Sequence, residues 1–428
     1  MVTELHEQLH LVMKQVTGFI YPNEVELHWG ILVVVYPYLT GLVAGAFILA
    51  SLERVFNVRE VQPTYRLALL TALSFLVVAP LPLLAHLGHP ERSFEIFLTP
   101  HTQSAMAMFG FVYAWYLAVV LLLEIWFDYR EDLVVWSRQE RGLRRWLHRL
   151  LTLGATDLSE RALRFDRGAG KVITIVGIPS AFLLHGYVGF IFGSVKANPW
   201  WSSVLIPIVF LFSAIVSGIA LMMLLYMVTC MLRWRAVDMR CLDTLAAFLF
   251  YALIVDLSLE SLDFVHRLYE AEESIHILSE MISSKLFLSL IILQLLVGTL
   301  VPLGSLALFS PVLHRRALLP IPDELRRMMY WGLAILILLG IFSTRWNVVI
   351  GGQLFSKSLR GLTVYKMQLL GLEGVLMAGF LLVLPFAILL GLIWLLPPWP
   401  ANEVKLTMPA SEPAGSAALE GDVGTRRA

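Results

Sequence analysis

SSVLIPIVFLFSAIVSGIALMMLLYMVTCML, residues 202–232, runs for 31 positions without a single Asp, Glu, Lys or Arg. A helix needs about 20 apolar residues to cross the hydrocarbon core of a bilayer, where no water can hydrate an open backbone. This stretch is long enough, and reading outward from it finds eight more, at 30–52, 65–87, 104–127, 171–195, 241–266, 283–309, 328–350 and 369–396. The 428 residues are 58% hydrophobic and 15% charged, against about 25% charged in soluble domains. That excludes an ordinary soluble enzyme. The expected fold is an all-α integral membrane protein of nine transmembrane helices, grouped as two four-helix bundles plus one extra C-terminal helix.

Three regions follow. Residues 1–27 are expected to be an interfacial segment, because LHEQLHLVMKQVTGFI at 5–20 is short and polar along one side. Residues 28–397 form the transmembrane domain, and 398–428, rich in Pro, Ala, Gly and Ser, read as a disordered tail. The start of the chain has no basic, short-apolar, small-residue pattern of a cleaved signal, so the first span is expected to be retained. The two cysteines, Cys230 and Cys241, are too few for the four thiolates of an iron–sulfur cluster.

Nine spans put the termini on opposite sides. The loops after the first, third, fifth and seventh spans, with the adjoining helix ends and the C-terminal segment, hold 23 of the 32 Lys and Arg residues. The positive-inside rule therefore predicts a multi-pass protein of a bacterial inner membrane, N-terminus outside and C-terminus cytoplasmic. The basic cytoplasmic loop 128–170 is the strongest indicator. Its RGLRRWLHRLL stretch, with Arg141, Arg144, Arg145 and Arg149, reads as an interfacial helix beside anionic lipid.

Ionisable groups inside spans are costly, which makes them candidates for function. His28, Tyr36, His86, His89, His101, His185, Tyr187, His266 and Arg345 all fall toward the outer ends of the spans. His185 and Tyr187 lie further in than headgroup anchoring requires, within the Gly-flanked HGYVGFIFG, where small residues let helices approach. The sixth span carries Asp256, Glu260 and Asp263, whose spacings of four and three put three carboxylates on one helical face. Such a file suits proton transfer as well as a structural ion network, and Arg345 is the natural balancing charge. Glu124 and Asp128 are read as marking the exit of the third span into water.

Four stretches together resemble the NrfD family, the membrane subunits of polysulfide reductase and related complexes. They are ELHWGILVVVYPYLTGLVAGAF at 26–47, LAHLGHPERSFEIFLTPHTQSAMAMFGFVY at 84–113, GYVGFIFGSVKANPWWSSVLIPIVFLFSAIVSGIAL at 186–221 and RWNVVIGGQ at 345–353. The resemblance implies a quinone, menaquinone or ubiquinone, bound non-covalently at the outer surface. It also implies a ferredoxin-like iron–sulfur subunit docked there, with a catalytic molybdopterin or multihaem cytochrome subunit beyond it. Aligning the motifs places Tyr36 where the family has a quinone-binding histidine and Tyr187 at its quinone-binding tyrosine. His185, His28 and His101 are further quinone-binding candidates, and Arg92 is a candidate for the partner interface. No metal, haem or cluster ligands and no nucleic-acid site are expected in this chain. A b-type cytochrome using His86, His101 and His185, and a proton channel or transporter without redox chemistry, are the rival readings.

Overall fold

The computed structural model describes residues 18–22, 27–99, 101, 103–270, 275–310 and 321–399. The interfacial helix expected at 5–20 and the tail beyond 399 fall almost wholly outside them. Among the described residues the fold is all-helical, with two isolated β-bridges and no strand. Nine helices among the described residues are long and apolar enough to span a bilayer: α1 Ile31–Arg54, α2 Arg59–His86, α3 Met108–Gln139, α4 Glu160–Gly193, α5 Ile206–Leu232, α6 Met239–Glu270, α7 Phe287–Phe309, α8 Asp323–Leu354 and α9 Val375–Leu395. Each corresponds to one expected span. The basic loop after α3 is largely helical: α3 and α4 extend past their apolar runs, and Gly142–Leu151 forms a short helix between them.

Helix α1 is the most enclosed span. It packs on α2, α4, α5 and α8, and α9 lies against α2. Between helices in lipid the attraction is van der Waals contact, so small residues that let backbones touch decide the seams. At the crossing of α1 and α5, a Cβ on Gly45 would overlap the Ala214 carbonyl, and one on Gly218 would overlap the Gly45 backbone. Gly298 of α7 meets Gly340 of α8 in the same way.

Pro37 interrupts α1. The Thr40 hydroxyl donates to the carbonyls of Tyr36 at 3.2 Å and Pro37 at 3.3 Å, back-bonding to its own helix. It also fixes the Thr40 oxygen as an acceptor facing α4.

The C-terminal end of α8 widens into a π-helical turn at Asn347–Gly351. A π-turn leaves carbonyls without their usual amide partners, and such turns recur at functional sites. Here the loop before α5 satisfies them. Trp200 Nε1 donates to the Asn347 carbonyl at 2.8 Å, Trp201 Nε1 to Val348 at 2.6 Å, and Asn198 Nδ2 to Gly352 at 2.7 Å. Gly352 has to be glycine because its Cβ would occupy the Trp201 indole. Gln353 completes the junction: its side chain accepts from Trp29 N and donates to the Trp29 carbonyl, both at 3.0 Å. Three of the four stretches that carry the family resemblance therefore meet at this junction.

Glu124 corrects the expectation that it marks an exit of α3 into water. It is fully buried, its Oε1 accepting from the Thr174 hydroxyl at 2.7 Å and the Tyr65 hydroxyl at 3.3 Å. Asp128, one turn on, pairs with Arg54 and Arg66, each at 2.8 Å. The carboxylate closes a polar knot between α2, α3 and α4. Glu124→Ala is expected to lower stability by about 1–3 kcal/mol by removing the acceptor of the Tyr65 hydroxyl and leaving Thr174 only the Gly170 carbonyl. Glu124→Gln keeps an acceptor, so it should change the unfolding midpoint far less in thermal unfolding of the detergent-solubilised protein.

Candidate functional site

Arg345 on α8 has no solvent exposure and is the centre of the site. Its Nη2 donates to Ser213 Oγ of α5 at 2.6 Å, to the Phe210 carbonyl at 3.4 Å and to His185 Nε2 of α4 at 3.2 Å. The guanidinium lies over the Phe210 ring, 4.2 Å from its centroid, a cation–π placement that suits a buried cation. Guanidinium only donates, so His185 Nε2 must be the unprotonated nitrogen. His185 Nδ1 then carries the proton and donates to the Thr40 oxygen at 3.2 Å. The contacts fix one neutral tautomer of a ring that is itself fully buried and stacked on Phe210 at 5.5 Å.

The charges of Asp256 and Glu260 on α6 also act on Arg345, with no ion pair within 4 Å between them among the described residues. Asp256, Glu260 and Asp263 differ in their partners. Asp263 accepts from both Arg267 and the Ser203 hydroxyl, and Ser203 also accepts from Leu205 N at 3.1 Å at the start of α5. Glu260 accepts from Gln294 Nε2 at 3.1 Å. Gln294 in turn accepts from Asn347 Nδ2 at 2.7 Å, and Asn347 accepts from Ser289 at 2.5 Å. Asp256 is buried and its Oδ1 has no partner among the described residues, as is true of Arg345 Nε and Nη1. A cavity of about 60 Å³ lies beside this chain, lined by Glu260, Asp263, Arg267, Gln294, Thr344 and Asn347.

Tyr36 and Tyr187 flank one phenylalanine. Phe109 of α3 meets Tyr36 edge-on at 5.5 Å and stacks on Tyr187 at 6.3 Å. Tyr36 is buried, and its hydroxyl has no partner among the described residues. His28 is exposed and lies elsewhere, in a cleft of about 280 Å³ that it shares with Trp29, Asn198, Trp201, Gln353 and Lys357. Rings connect that cleft to the centre: Trp29 stacks on Trp201 at 5.5 Å and meets Phe192 at 5.9 Å, and Phe192 lies 6.0 Å from Phe210.

His101 and Arg92 are exposed and join none of these groups among the described residues. Arg92 is held by Glu95 through two contacts of 2.9 Å, and this pairing holds the Glu95 carboxyl below its ordinary range. The histidines that a haem would need are committed or scattered. His86 Nδ1 contacts Glu373 at 3.0 Å, and both His185 nitrogens are engaged. Arg345, His185 and the carboxylates stand out in the sequence, whereas Thr40, Phe109, Ser213 and Gln294 do not. No spacing pattern marks these four, which matter only through contacts across helices.

The family described as polysulphide reductase, NrfD, matches residues 22–357. A selenate reductase subunit of Mesobacillus selenatarsenatis is 38% identical over 203 residues, covering 46% of this chain and 47% of that one. Protein NrfD of Escherichia coli is 26% identical over 211 residues, 49% of this chain and 61% of that one. The chain thus matches about half the length of these relatives.

Proposed function

The chain belongs to the polysulphide reductase NrfD family, and from that premise we propose that it exchanges electrons and protons between the membrane quinone pool and an iron–sulfur partner subunit. In this reading it is the membrane subunit of a multisubunit reductase complex in a bacterial inner membrane, with its N-terminus outside. The observation that carries the reading is the Tyr36 hydroxyl, a buried donor with no partner among the described residues, set against the Phe109 ring. Buried hydroxyls are nearly always paired, and a quinone carbonyl is an acceptor of the right chemistry beside an aromatic wall. A bound quinol supplies two electrons and two protons. Every other part of the work falls to side chains.

Tyr36 and Tyr187 bind and orient through the wall they share with Phe109. The charge of Arg345 acts on Asp256 and Glu260, and Arg267 pairs with Asp263 and also acts on Glu260, so three carboxylates share two guanidinium groups. Unpaired charge is expensive in a membrane interior, and a single proton shared by Asp256 and Glu260 restores the balance. The unpartnered Asp256 Oδ1 is where that proton can be held. Arg345 ties it to His185, whose fixed tautomer transmits a change in the guanidinium's position to Thr40 and the Tyr36 turn of α1. A proton path without redox chemistry would use the same carboxylates but would not need Tyr36.

The test is Tyr36→Phe in the assembled complex. The KM for a short-chain quinol is expected to rise about tenfold for the loss of one buried hydrogen bond. The variant should be as stable as the wild type or more so, because an unpaired buried hydroxyl has been removed. An unchanged KM contradicts the assignment.

A further inference from the structure

The helix Gly142–Leu151 between α3 and α4 takes no part in the site, yet it is firmly held. His148, with no solvent exposure, lies between two partners: its Nε2 donates to the Leu395 carbonyl at 2.8 Å, and its Nδ1 is 2.9 Å from Glu140 Oε2. Arg144 rests over the Trp394 ring at 5.3 Å, and Trp126 Nε1 donates to the Leu151 carbonyl at 3.0 Å. Leu395 is the last residue of the spanning helix α9, and the helix begins three residues after α3 ends. Its anchors therefore place it at the level where spans leave the hydrocarbon.

The rest of its surface has two distinct strips. Arg145 and Arg149 are four residues apart and share one face, Arg141 precedes the helix in extended backbone, and all three are exposed. Beside them Leu143, Trp146 and Leu150 are 65%, 60% and 56% exposed. Hydrocarbon covers leucine and tryptophan at no cost, and a row of guanidinium groups beside it matches phosphate oxygens, which guanidinium binds bidentately. A soluble acidic surface would complement the arginines but leave the apolar strip uncovered. We propose that this helix is a binding site for anionic phospholipid, with the headgroup phosphates on Arg141, Arg145 and Arg149 and the acyl chains against Leu143, Trp146 and Leu150. The inference stands apart from the redox reading and takes from the sequence only that this basic side faces the anionic leaflet.

The test uses the full chain in nanodiscs, with retained lipid measured by native mass spectrometry from equal mixtures of phosphatidylglycerol and phosphatidylcholine. The wild type is expected to retain phosphatidylglycerol preferentially. Each arginine near an anionic surface contributes about a fivefold preference, so Arg145→Gln with Arg149→Gln should lower it on the order of 25-fold. The Lys double variant, which keeps the charge, should retain most of it. If the Gln variant does not fold, raising salt on the wild type decides, since headgroup attraction falls with ionic strength. Equal retention of the two lipids by the wild type, a preference indifferent to salt, or an unchanged preference in a folded Gln variant overturns the proposal. So does a wild type without lipid preference whose arginines are instead needed to hold another member of the complex.

Discussion

Replacing Arg345 by alanine is expected to destabilise the protein by about 3–5 kcal/mol and to abolish coupled proton transfer. The cost arises on both sides of the missing group. His185 Nε2 and Ser213 Oγ lose their donor, and Asp256 and Glu260 lose a positive charge that acts on them. Breaking one side of a buried ionic group costs that much because the remaining charge stays behind, desolvated. The double variant Arg345→Ala with Asp256→Asn removes one of the stranded carboxylates and should regain part of the stability, a coupling that a thermodynamic cycle measures. It should not regain turnover, which is expected to stay down on the order of 100-fold or more, the scale of a lost general acid–base element. Arg345→Lys is expected to fall between, since one ammonium cannot keep the planar fork's contacts to His185 and Ser213. Additive losses in the cycle would mean that Arg345 and Asp256 do not act on one another.

Gly45→Val should be the most damaging substitution away from the site. The added Cβ meets the Ala214 carbonyl and the Gly218 backbone, and neither can yield unless α1 and α5 move apart. Overpacking in a well-packed core usually costs about 1–3 kcal/mol and occasionally more. Here α1 also carries Thr40 and Tyr36, so a shift of the helix would pull both away from His185 and Phe109. Folded yield and quinol-dependent activity should fall together. Gly304 and Gly379 are the controls, because an added Cβ at either meets nothing within 4 Å. Gly304→Ala and Gly379→Ala should be neutral or stabilise by up to about 1 kcal/mol, as alanine does in a helix. Equal damage at all three positions, read by thermal unfolding, would show that the seam is not what makes Gly45 necessary.

These two cases show where the sequence is readable and where it is not. Span positions follow from one variable, the length of an apolar run, and all nine are legible in the residues. The shared face of Asp256, Glu260 and Asp263 is legible too, because it depends only on the turn of one helix. Partner choice is a different matter. Arg345 reaches His185, 160 positions away, and Tyr36 meets Phe109, on a helix two spans later. Such pairings are decided by how helices cross, which glycine pairs permit without announcing which partner they serve. Glu124 departs from its expected place for the same reason: a carboxylate near a helix end exits into water unless a neighbouring helix covers it, and here α4 does. The Asn-Pro-Trp-Trp loop is visible as a motif, but its work of capping the π-turn of α8 is not.

The most direct measurement of the quinone assignment is titration of the purified chain with a fluorescent quinol analogue, wild type against Tyr36→Phe. The expected result is saturable quenching in the wild type and binding weakened about tenfold in the variant, with the variant's thermal stability preserved or raised. No saturable binding by the wild type, or identical binding by Tyr36→Phe, would contradict it.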